Sequence, residues 1–105
     1  MVRNFQAHAP VENPAKVRLE KRQGKVRLIA EGDWITAEVS RLDGELHALD
    51  FGSAGEAEID GSGLTALDSA GAWLLLRSKR EFEDAGVKVT SFDMPDRYKP
   101  LLDTM

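Results

Sequence analysis

Apolar and polar positions along the chain change period several times, and each change marks an element. From Lys16 to Lys21, Val17 and Leu19 alternate with Arg18 and Glu20; from Lys25 to Glu31, Val26, Leu28 and Ala30 alternate with Arg27, Ile29 and Glu31. A period of two is that of a half-buried strand. Gln23-Gly24 between the runs reads as a tight turn, so together they predict a hairpin. After a break at Gly32-Asp33-Trp34, the residues Ile35, Val39, Leu42, Leu46 and Leu49 recur at steps of four, three, four and three, which is one stripe of a helix. Thr36 is its expected cap, and Gly52 lies beyond its end.

Ala57 to Asp60 predicts a very short third strand, followed by Gly61-Ser62-Gly63. A long helix opens at Asp68, runs to about Ala85 and stops at Gly86, with Ala72, Leu75, Leu76, Phe82 and Ala85 inward and Arg77, Arg80, Glu81 and Asp84 outward. Val87 to Phe92 reads as the last strand. Met94-Pro95-Asp96 starts a final helix, which Pro100 breaks or re-initiates. Met1 to Asn13 has no usable periodicity, so residues 1–15 are expected to be a loose tail and 16–105 the domain. The order β-β-α-β-α-β-α implies an α/β fold. It is a small mixed β-sheet, an N-terminal antiparallel hairpin plus parallel strands joined by right-handed crossovers, with about three helices.

The 105 residues suffice for one core and not for two. With no cysteine there is no disulfide framework, thiol nucleophile or cysteine-ligated metal. A pI near 5.1 argues against general nucleic-acid affinity. No stretch approaches the roughly 18 apolar residues of a membrane span, and the first residues lack the apolar centre of a secretory signal, so a cytoplasmic location is expected. Charge is divided along the chain. Residues 1–30 hold seven basic side chains against Glu12 and Glu20, whereas Asp43, Glu45, Asp50, Glu56, Glu58, Asp60 and Asp68 lie between Arg41 and Arg77 with no Lys or Arg among them.

The sharpest local feature is Leu67-Asp68-Ser69-Ala70-Gly71 at the start of the long helix. Asp68 is a good N-cap, able to accept the free N–H groups of Ala70 or Gly71. The small side chains of Ser69, Ala70 and Gly71 leave the helix start open to a partner surface. A phosphate on Ser69 would sit where the helix dipole favours negative charge, beside an opposing Asp68. Gly61-Ser62-Gly63-Leu64-Thr65-Ala66 matches G-x-G-x-x-A, but the helix begins too late for a dinucleotide fingerprint, and no Gly-Lys-Ser/Thr follows for a phosphate-cradling loop. A metal site would have to join His8 in the tail to His47 beside a helix stripe. Ser69 has no G-x-S-x-G around it, Glu56 and Glu58 read as solvated carboxylates on one strand face, and Trp34 and Trp73 as core or interface aromatics. No catalytic residue, metal or cofactor is expected.

The ordered set Gly32-Asp33-Trp34, Ile59-Asp60 with Ser62-Gly63-Leu64-Thr65, Leu67-Asp68-Ser69-Ala70-Gly71-Ala72 and Gly86-Val87-Lys88-Val89 resembles a STAS domain, the module of bacterial anti-sigma-factor antagonists and sulfate-transporter tails. The resemblance covers about Lys16 to Leu102. Gly-Asp-Trp before the first helix and the Asp-Ser-Ala-Gly-Ala-Trp-Leu-Leu-Leu run are most similar to the STAS segment of permeases in the lipid-asymmetry, or toluene-tolerance, class of ABC transporters. The resemblance implies a cytoplasmic, non-catalytic regulatory or assembly module of a transporter for phospholipids or organic solvents. Such a module docks the ATPase subunit through Thr65, Asp68, Ser69, Ala70 and Gly71, and meets a membrane only through a permease. It also implies an alternative, an anti-sigma-factor antagonist switched by a kinase at Ser69. Ala70 departs from the Asp-Ser-Ser-Gly form of the antagonists, which favours the transporter reading.

Overall fold

A computed structural model describes residues 13–105. The hairpin forms as its alternation predicts, with β1 (Lys16–Arg22) antiparallel to β2 (Lys25–Trp34) in the register Leu19 opposite Leu28. A 3-10 turn, Thr36–Glu38, leads into α1 (Val39–His47); then come β3 (Glu56–Leu67), α2 (Ser69–Asp84), β4 (Lys88–Asp93), a second 3-10 turn at Asp96–Tyr98 and a short α3 (Lys99–Asp103). The sheet has the order β1-β2-β3-β4, with β2, β3 and β4 mutually parallel. Among the described residues the fold is therefore α/β, a four-stranded mixed sheet with three helices.

Because each parallel strand is added on the same side of its predecessor, two right-handed crossovers put α1 and α2 on the same face of the sheet. The core lies between these helices and the sheet. Leu28, Trp34, Leu42, Ile59, Leu74 and Leu75 are its largest fully buried side chains. The opposite face carries no helix among the described residues and is lined by charge pairs: Arg18 with Glu20 and Glu31, Lys25 with Glu56, and Arg27 with Glu58 and Asp60. The charged side chains that β3 contributes to this face are all acids, whereas those of β1 and β2 are mostly bases.

Several expectations are corrected. Ile29, placed outward by alternation, is only 7% exposed; its register partners are Arg18 and Asp60, and the stems of long charged side chains cover apolar surface beneath them. Strand β3 is not four residues long but twelve. Gly61 does not end it. A Cβ there would fall on Met94, so glycine makes room for a buried side chain while the strand continues, and shifts of register opposite Ile29 to Asp33 absorb the extra residues. Leu74 of α2, which the expected stripe leaves out, is wholly buried, and Ala85, expected inward, is the exposed C-cap just past the end of the helix. Gly86 stops the helix as expected. Its φ of 82° is one L side chains rarely adopt, and the Val87 N–H returns to the Phe82 carbonyl at 2.9 Å. The last helix is split, Pro100 re-initiating it after the 3-10 turn.

Of the expected tail, residues 1–12 lie outside the described residues, and Asn13 to Ala15 are fixed to the domain. The Asn13 carbonyl accepts the Asp33 N–H at 2.8 Å. Ala15 is buried, its N–H donating to Glu38 Oε2 at 2.7 Å and its carbonyl accepting from Arg41 at 2.6 Å. The Ala15 N–H, and after it the Arg41 guanidinium, hold the Glu38 carboxyl below the usual carboxylate range.

Candidate functional site

The C-terminal ends of parallel strands are where α/β sheets build sites, because helices start there and their first N–H groups are free. Here β2 ends at Trp34 and β3 at Leu67, paired to each other, and α2 starts two residues later. The Trp34 carbonyl accepts the Asp68 N–H at 3.3 Å. Trp34 is itself wholly buried, its indole N–H shared between the carbonyls of Glu31 (3.0 Å) and Lys16 (3.3 Å). The floor under the start of α2 is thus rigid.

Asp68 caps α2 as its sequence position predicts. Its Oδ1 accepts the Gly71 N–H at 3.1 Å, while Oδ2 accepts both the N–H (2.8 Å) and the hydroxyl (2.9 Å) of Thr36. Thr36, expected to cap α1, has its side chain spent on Asp68, and among the described residues no side chain caps α1. One carboxylate therefore clips the chain leaving β2 to the helix leaving β3. Partial burial alone would raise the Asp68 carboxyl; hydrogen bonds from Gly71, from Thr36 twice and from Ala70 outweigh it and hold the group below the usual carboxylate range.

The other residues singled out in the sequence divide. Ser69, the first residue of α2, is exposed, and among the described residues its hydroxyl has no hydrogen-bond partner. Ala70 is half-buried. Gly71, expected on the partner surface, is buried instead, where a Cβ would land on the Trp34 carbonyl; its role is to let helix and strand approach. Thr65 is exposed, and its hydroxyl donates to Asp33 Oδ1 on the neighbouring strand. The surface left for a partner is accordingly Ser69 and Ala70 at the helix start, with Thr65 and Asp33 beside it on the strand ends.

His47 is exposed, its Nδ1 2.8 Å from the Asp43 carbonyl, and His8 lies outside the described residues. Among the described residues, no three His, Asp or Glu side chains come together as metal ligands, and no helix is long and apolar enough to cross a membrane. Trp73, grouped above with Trp34, separates from it: Trp34 is buried and Trp73 is 51% exposed. One sequence signal could have separated them. Gly71 and Ser78, seven residues apart and both small, mark the side of α2 that packs closely, and Trp73 falls away from that side.

Compared with known proteins, the chain matches no family model and no curated protein.

Proposed function

We propose that the domain is a non-catalytic regulatory or assembly module of the STAS kind, docking the ATPase subunit of an ABC transporter for phospholipids or organic solvents through the outward start of α2. One observation carries this reading. Both oxygens of Asp68 are committed inward while the adjacent Ser69 and Ala70 present small uncharged side chains on a fixed frame. A carboxylate so occupied is not free to act as a base or to bind a metal, whereas a rigid, small-residue helix start can be approached closely by another protein. The site would lie on the cytoplasmic face of the inner membrane, reached through a permease.

Titrating the purified ATPase subunit with the domain tests the proposal. Ser69→Glu adds charge and bulk at the contact and should weaken binding about tenfold or more, whereas Ser69→Ala should stay within about threefold. Equal affinity of the wild type and Ser69→Glu would overturn the proposal. The exposed Ser69 hydroxyl supports a second reading, a kinase-switched antagonist of an anti-sigma factor. That reading requires stoichiometric phosphate on Ser69 after incubation with the anti-sigma kinase, and release of the kinase afterwards.

A further inference from the structure

Among the described residues only Trp73 and Met105 are large apolar side chains left exposed, Trp73 at 51%. Met105 is the last residue of the sequence. Trp73 stands within the longest helix, between Ala72 and Leu74, both wholly buried. Fraying does not explain its exposure, because α2 is seated along its length by Gly71, Leu75, Ser78 and Phe82. At 100° per residue, Ser69, Trp73 and Arg80 fall together on the side opposite those four.

The indole is also held in place. Arg77, one turn on, lays its guanidinium over the ring at 5.1 Å. Arg77 in turn bonds Asp43 of α1 and approaches Glu81 at 3.9 Å, so the stack is tied to the neighbouring helix. A ring ordered in advance loses little freedom when a partner covers it. Arg80, further along the same side, is exposed and has no ion pair among the described residues. The outward side of α2 thus runs from small and neutral at Ser69 and Ala70, through a fixed aromatic, to the basic Arg80 and then to the exposed Asp84 at the last turn.

We infer that Trp73 anchors the docking surface, its indole entering an apolar slot on the ATPase subunit with an acidic side chain at the slot's mouth opposite Arg80. The inference rests on the docking proposal above and adds the residue that supplies the affinity, since Ser69 offers a partner little area and buried Trp and Arg dominate interface energetics. Charge complementarity selects the acidic mouth.

The experiment measures binding of the purified ATPase subunit to the wild type, Trp73→Ala, Arg80→Glu and Ser69→Glu. In Trp73→Ala the buried Trp34 becomes the sole tryptophan, and its emission reports that the domain is folded. Trp73→Ala should weaken binding at least about 30-fold, Arg80→Glu about threefold to tenfold, and in the wild-type complex Trp73 should become shielded from acrylamide quenching. If Trp73→Ala binds within about threefold of the wild type while Ser69→Glu fails, the anchor is wrong and the docking proposal stands. If the wild type does not bind, or no substitution matters, the docking proposal falls and the anchor with it. A dimer of the domain alone, abolished by Trp73→Ala in sedimentation, would make a second copy the occupant and overturn the inference.

Discussion

Asp68 gives Oδ1 to its own helix and Oδ2 to Thr36, and this single side chain fixes the geometry of the candidate site. Replacing it with alanine removes a cap and the Thr36 clip together and should cost about 1–2 kcal/mol in urea unfolding. Its pH behaviour has a definite sign. The folded carboxyl lies below its unfolded value of about 3.9, so the stability it lends is complete above that pH and is lost as pH falls through the folded value. Asp68→Asn keeps an acceptor for the cap but no charge, so it should flatten this part of the acid limb; an unchanged pH profile would show that the ionised form is not preferred. At Gly71 two effects oppose each other. Alanine favours a helix by about 1 kcal/mol, but its Cβ would meet the Trp34 carbonyl. The collision should win, leaving Gly71→Ala destabilised by about 1–3 kcal/mol, and a stabilised variant would refute the close approach. The Asp68 cap was legible from one residue type before a helix. Its second partner was not, because Thr36 is 32 residues away and only the pairing of β2 with β3 brings it near.

At the scale of elements, α2 shows where reading by period stops. Leu74, Leu75 and Leu76 are consecutive and span 200° of helix, so the pattern alone does not say which of the three faces solvent. Contact of Gly71 with β2 sets the rotation, burying Leu74 and Leu75 and leaving Leu76 half-buried. Leu74→Ala should therefore cost about 2–5 kcal/mol and Leu76→Ala less than half as much, and equal losses in denaturant melts would place the helix at a different rotation. Strand β3 was misread for a related reason. Gly61-Ser62-Gly63 carries the composition of a turn, yet neither glycine has a positive φ, and their lack of side chains serves Met94 and Glu31 packed against them. The hairpin, the helix stop at Gly86 and the element order needed no such tertiary information, since each is dictated by residues within a few positions of one another.

For the whole molecule, strand order decides which parts are held from both sides. Strands β2 and β3 have a neighbour on each side, β1 and β4 have one, and α3 is five residues long. Amide hydrogen exchange should accordingly be slowest in β2 and β3 and fast in β1 and α3; a β1 as protected as β3 would mean that its free edge is covered in solution. The same order leaves one face of the sheet without helices among the described residues, and on that face Arg18, Arg22, Lys25 and Arg27 outnumber Glu20 and Glu31 on the hairpin side while Glu56, Glu58 and Asp60 lie on β3. At neutral pH this is an electric dipole directed across the strands. A surface divided in this way can orient the domain in a field and meets a partner's charges with opposite sign at its two edges.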